Sequence, residues 1–215
     1  MGYGELWDAT HVELLAAALA TLQMAIGALV IGLVVGLVLA LARRSSSAPL
    51  RRAASIYIEV FRGTPALVQL FIIYFSLTAV GIEFSSFIAA IIGLGLNAAA
   101  YLAEIYRAGL EAVPKGQVEA AKAIGMPRGQ VMRWVVLPQA IRIVLAPIGN
   151  VAISLLKDTS VASLIAAPDL MLRAQDLSAV YFMPLETYIL VGAMYFALCF
   201  PLSLGVRFLE RKGKR

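Results

Sequence analysis

From Leu14 to Ala42 the chain runs for 29 residues without one charged side chain. As a helix at 1.5 Å per residue this stretch is about 43 Å long, which exceeds the roughly 30 Å hydrocarbon thickness of a bilayer. In lipid the backbone must satisfy its own hydrogen bonds, so such a stretch is expected to be helical. It is far too long for the apolar core of a secretory signal. The residues before it carry Glu5, Asp8 and Glu13 and no Lys or Arg, the wrong charge for such a signal. Apolar residues make up 61% of the 215 and charged residues only 14%. A soluble domain of this size could not hide so much apolar surface. The chain is expected to be an all-α integral membrane protein.

Four further apolar runs follow, over Ala53–Val80, Phe84 to about Tyr106, Ile143–Ala167 and Tyr188–Val206. Glu59, Arg62 and the breaker Gly63-Thr64-Pro65 interrupt the second, which predicts a kinked or two-part element with its polar half near the cytoplasm. Along the segments outside the runs, Lys and Arg number none, four, none, six, one and five. Positive charge stays on the cytoplasmic side, so five transmembrane helices run from an outside N-terminus to an inside C-terminus. The net charge of +5 then belongs to cytoplasmic loops rather than to a nucleic-acid surface. Residues 1–215 read as a single transmembrane domain. No internal repeat is evident, so a symmetric dimer is the natural way to enclose a pathway. Gly32 and Gly36 form a GxxxG, which either admits a close helix or reflects ordinary glycine usage in membranes. Tyr3, Trp7 and Trp134 read as interface anchors. Cys199 and His11 are each the single residue of their type, which gives no intramolecular disulfide and no His-rich metal site.

The longest polar stretch, Arg107–Trp134, holds Glu119-Ala120-Ala121, then Gly125, then Leu137-Pro138 beyond it. Gln117–Ala123 reads as a short helix that Gly125 ends in a left-handed conformation, and Met126-Pro127 opens a new element. Two short helices around a glycine turn thus face the cytoplasm.

This spacing resembles the EAA motif of the permease subunits of ATP-binding-cassette (ABC) importers, with Val135 where the pattern usually has Ile. Two further stretches, Glu59–Gln69 and Asn97–Glu104, together with Lys157–Ser160, look like the corresponding segments of permeases for polar amino acids. The similarity covers most of residues 20 to 205. It implies a type I ABC importer permease fold with a coupling loop at about 111–134. Glu119, Ala120, Ala121 and Gly125 would dock this loop into a groove on a cytoplasmic ATPase. The partners implied are an ABC ATPase dimer, a second permease subunit (identical or paralogous) and an extracytoplasmic amino-acid-binding protein. ATP and Mg would be bound by the ATPase. No GxxxxGK[ST] sequence occurs here, so this chain is not the hydrolytic subunit and is not itself an enzyme. The implied location is the bacterial cytoplasmic (inner) membrane, with several passes.

Residue spacing adds to this independently. Asn97, Tyr101 and Glu104 fall at i, i+4 and i+7 on one helical stripe. A polar stripe in a span must face protein or water, so it is either a hydrogen-bonded seam or a pathway wall. The resemblance favours the wall, at least for Asn97 and Tyr101. Lys157 and Asp158 sit near the middle of an apolar run, where a charge costs about 2.5–3.5 kcal/mol on insertion scales. They either neutralise each other or serve a substrate. In the second case Asp158 receives the α-ammonium of an amino acid. Thr159, Ser160 and backbone amides, or Lys157 itself, hold the α-carboxylate. With straight helices Lys157 lies about 21 Å above the inner end of its run and Glu104 about 3 Å above its own, so the two are not expected to pair. Arg107, one turn on, is a nearer partner for Glu104. Glu59 and Arg62, at i and i+3, either pair as a helix-entry clasp or form part of an inner gate. The expected function is import of a polar amino acid or related zwitterion by alternating access, driven by ATP hydrolysis in a separate subunit. The rival is an ion-coupled or passive transporter using Asp158 or Glu104 as a cation site. A lipid-modifying membrane enzyme would need a metal or nucleophile constellation that the sequence does not supply.

Overall fold

The computed structural model describes residues 3–213; the tail cations Lys214 and Arg215, and the side chain of Lys212, lie outside the described residues. Helix α1 spans Tyr3–Arg43, α2 Ala48–Gly63 and α3 Ala66–Phe71, which widens into a π-helical turn at Ile72–Ser76. After a short 3-10 turn come α4 (Ser86–Glu111), α5 (Lys115–Ala123) and α6 (Arg128–Gln130). A second π-helical turn at Val131–Val136 leads into α7 (Leu137–Asp158), which tightens to a 3-10 helix at Thr159–Ile165. Helices α8 (Leu170–Tyr181) and α9 (Pro184–Gly213) complete the chain.

Among the described residues, four helical segments are long and apolar enough to cross a membrane: Tyr3–Arg43, Ser86–Glu111, Arg128–Ile165 and Pro184–Arg211. The bent pair Ala48–Gly63 and Ala66–Val80, which turns through 109°, passes the same test when taken together and makes five candidate spans. The break follows from Pro65, which disfavours the helical conformation at the residue before it. Thr64 is accordingly extended, at φ −117° and ψ 146°.

The acid-bearing N-terminal segment is not a loop preceding the first span. It is the start of α1, because Leu6, Thr10 and Leu14 recur every fourth residue and are all buried. Arg173 of α8 pairs with Glu13 there at 2.6 Å. The segment after Ala167 is likewise helical. Asp169 accepts the Leu172 N–H at 2.8 Å, capping α8, and the Tyr195 hydroxyl at 3.1 Å. Thr21 of α1 accepts the Leu170 N–H at 3.0 Å, so α1, α8 and α9 meet in one buried polar knot. Burial pushes the Asp169 carboxyl up from its ordinary value, against the lowering effect of these hydrogen bonds.

Small residues bring α1 and α4 together. A Cβ added to Gly36 would stand 2.9 Å from the Ala99 carbonyl oxygen, and one added to Gly95 would stand 2.8 Å from Ile31 Cβ. The GxxxG therefore serves a helix approach within the chain. The opposite face of α1 exposes Ile26, Val30, Val34 and Val38 at four-residue spacing, a face suited to lipid. Met24, Ala28, Leu94, Ala98 and Leu102 of this pair join Leu70, Leu155 and Ile165 in the main core.

Candidate functional site

The break between α2 and α3 is held by side chains. Gln69, 8% exposed, donates from Nε2 to the Phe61 carbonyl at 3.0 Å, the Thr64 carbonyl at 3.2 Å and Thr64 Oγ1 at 2.8 Å. Asn97 of α4 donates to the Phe61 carbonyl at 3.1 Å and to Gln69 Oε1 at 3.0 Å. These bonds satisfy backbone carbonyls that the break releases from the helix. Asn97 thus belongs to a hydrogen-bonded seam and also to a cavity wall.

That cavity, about 650 Å³, lies between α4 and α7. The break supplies Thr64 and Pro65, α4 supplies Asn97 and Tyr101, and α7 supplies Asn150, Ser154 and Asp158. The α7 residues lie at i, i+4 and i+8, one stripe of the helix. All three are exposed in the single chain although their helix spans the membrane. Polar groups at this depth face protein or water, so this wall is suited to a neighbouring subunit or an aqueous path.

The structure brings together Asn97, Tyr101 and Asp158 but turns other expected residues away. Lys157 precedes Asp158 by about 100° of helical rotation and does not line the cavity. It lies within electrostatic reach of both Asp158 and Cys199 of α9, but makes no salt bridge to Asp158 within 4.0 Å. Thr159 is buried towards Tyr195 and donates to the Leu156 carbonyl at 2.9 Å. Ser160 donates to the Lys157 carbonyl at 2.7 Å, so both hydroxyls satisfy the helix end rather than the cavity. Glu104 is also absent from the wall. It pairs with Arg43 of α1 and with Arg107 Nη2 at 2.8 Å, and Arg107 continues to Glu111 at 2.6 Å. Arg62 and Glu59 do not pair with each other. The Arg62 guanidinium lies 5.6 Å from the Tyr101 ring centroid, while Glu59 shares a shallow hollow with Arg43, Arg51 and Arg52.

Asn150 and Ser154 were not singled out from the sequence. Their four-residue spacing before Asp158 was the signal that could have found them.

A second site lies at the cytoplasmic end. Helix α5 ends as the glycine predicts: Gly125 has φ +83°, its N–H donates to Lys122 O at 2.9 Å, and the Met126 N–H donates to Ala121 O at 3.1 Å. This is the paired bonding of a Schellman turn. Pro127 then caps α6. Glu119, Ala120 and Gly125 are exposed, and Ile124 is 79% exposed. Ala121 points the other way, into a small core with Val113, Val131, Val136 and Ala140. Its small side chain seats α5 rather than meeting the cytoplasm.

Comparison with known proteins matches residues 32–215 to the family described as binding-protein-dependent transport system inner membrane component. The probable amino-acid ABC transporter permease protein YckA of Bacillus subtilis (strain 168) is 43% identical, over 89% of this chain and 85% of its own. The arginine transport system permease protein ArtQ of the same organism is 40% identical, over 90% and 89%. A crystal structure of an amino acid ABC transporter with histidines superposes with a TM-score of 0.94 at 38% identity, covering 99% of both chains. The MetNI methionine ABC transporter in an inward-facing form, at 22% identity and a TM-score of 0.73, shares the fold.

Proposed function

The chain belongs to the binding-protein-dependent transport inner membrane family as a permease subunit of an amino-acid ABC importer, and from that premise we propose that its α4–α7 cavity is the amino-acid site. The permease is a multi-pass inner membrane protein. ATP hydrolysis belongs to a separate subunit, and the family works with an ATPase, further permease subunits and a binding protein.

The observation that carries the site is Asp158, an intramembrane carboxylate opening into a cavity otherwise walled by neutral polar and apolar groups. It receives the α-ammonium of the substrate. The Asn150 amide and the Tyr101 hydroxyl, on the two facing walls, are the donors for the α-carboxylate. Lys157, Thr159 and Ser160 support the helix end instead. The Asn97 amide is committed to the break, so its role is to hold the cavity's shape. The Arg62–Tyr101 stack beside the break forms the inner gate, with Glu59 outside it.

The exposed edge of α5, with Glu119, Ala120 and Ile124 around the Gly125 turn, docks on one ATPase of a dimer that binds ATP and Mg. Approach of the two ATPases carries the docked loops together and turns the cavity outward. A binding protein there supplies the amino acid, and relaxation after hydrolysis releases it inward. The polar wall of α7 lies at the contact with a second permease subunit.

Asp158→Asn tests the assignment in the reconstituted complex. Uptake should fall at least tenfold while basal ATPase activity and recovery of the complex are retained, and Lys157→Gln should transport far better than Asp158→Asn. Normal uptake by a well-inserted Asp158→Asn would end the substrate role.

A further inference from the structure

Where α1 ends and α2 begins, Arg43, Arg51, Arg52, Ser55, Ile56 and Glu59 line a hollow of about 490 Å³. Three guanidinium groups thus face one carboxylate. Arg43 is engaged by Glu104 behind the hollow. Arg51 donates to the Ser45 carbonyl at 3.0 Å, and neither Arg51 nor Arg52 has a carboxylate within 4.0 Å among the described residues. Both are exposed.

The apolar surroundings distinguish this hollow from an ordinary basic loop. Ile56, in its wall, is 61% exposed, and Val60, one turn on along α2, is 51% exposed. On α1 just before Arg43, Val38 and Leu41 are each 60% exposed. Unpaired cations beside a bare apolar flank, at the cytoplasmic end of a span, match the two halves of an anionic phospholipid: its phosphate and its acyl chains. Ser55 adds a hydroxyl donor for a phosphate oxygen.

We infer that this hollow binds the headgroup of one anionic phospholipid of the cytoplasmic leaflet. Arg51 and Arg52 supply the charge, Ser55 a hydrogen bond, and Ile56 and Val60 the track for an acyl chain. The lipid neutralises the start of α2, the helix whose far end is the break beside the cavity.

The test is a titration of the intact complex with phosphatidylglycerol and with phosphatidylcholine, read by native mass spectrometry as bound lipid. Each basic residue near an anionic headgroup contributes about a fivefold factor, so the Arg51→Gln/Arg52→Gln pair should weaken phosphatidylglycerol binding about 30-fold. Arg211→Gln, an exposed cation of α9 outside the hollow, should leave it unchanged. Glu59→Gln keeps every cation and removes the one like charge, so it should tighten binding about fivefold. Equal losses from the α2 pair and from Arg211→Gln would overturn the site. So would no gain from Glu59→Gln, equal retention of phosphatidylcholine, or full displacement by millimolar inorganic phosphate.

Discussion

Gly125 offers a test in which sterics and backbone conformation separate. Its φ is +83°, and a Cβ placed there would meet nothing within 4 Å. The cost of a side chain is therefore conformational alone, about 1–2 kcal/mol for an L residue held in the left-handed region. At 1.4 kcal/mol per tenfold, Gly125→Ala should lower the population of the native turn by roughly 5- to 30-fold relative to its alternatives. Asn, which tolerates this region, should cost less, and β-branched Val should cost more. Gly129 lies four residues on in α6, also with open space where a Cβ would stand but without a positive φ. Gly129→Ala should be neutral or mildly stabilising. The assay is ATP-driven uptake in proteoliposomes, with substrate-stimulated ATPase activity and copurification of the ATPase measured on the same preparations. Uptake and copurification should decline in the order Gly, Asn, Ala, Val. If Gly125→Ala and Gly129→Ala behave alike, the turn is not what positions the docking surface and the reasoning fails.

Three further expectations rest on packing and pairing. Gly36→Ala forces a methyl against backbone atoms of α4, so it should destabilise the chain by about 1–3 kcal/mol in thermal unfolding, while Gly192→Ala, with nothing within 4 Å, should not. Gln69→Leu leaves the Phe61 and Thr64 carbonyls without this donor and should cost about 1–3 kcal/mol, with uptake falling through the misplaced cavity wall. Glu104→Gln should lower thermal stability by releasing Arg43 and Arg107 yet leave the KM for uptake unchanged, because Glu104 does not reach the cavity; a raised KM would restore it as a substrate residue.

What the sequence made legible was whatever follows from local rules. The break at Gly63-Thr64-Pro65 and the turn at Gly125 are backbone effects of proline and glycine, and both stand where the residues place them. Asn97 and Tyr101 share a stripe, and both line the cavity. What stayed hidden depends on rotation and on long-range partners. Lys157, Thr159 and Ser160 adjoin Asp158 in sequence, but successive helical positions differ by about 100°, so adjacency argued against a shared wall rather than for it. Asn150 and Ser154 have the right spacing, but neutral polar residues stand out less in a span than charges do. Depth along the span puts Glu104 at its inner end, where Arg107 is the partner that local spacing announces. Arg43, 61 residues away, closes the pair across two helices, a contact no local pattern announces.

The continuity of Arg128–Ile165 has a mechanical consequence. From Arg128, beside the Gly125 turn, to Asp158 is a helical rod of about 45 Å at 1.5 Å per residue. A tilt of only about 5° at one end of such a rod sweeps the other through about 4 Å, roughly the breadth of an ammonium group. The π-helical turn at Val131–Val136 and Pro147 are the two places where this lever can flex. Stiffness between them decides how much of a movement in the cytoplasm reaches the carboxylate in the membrane.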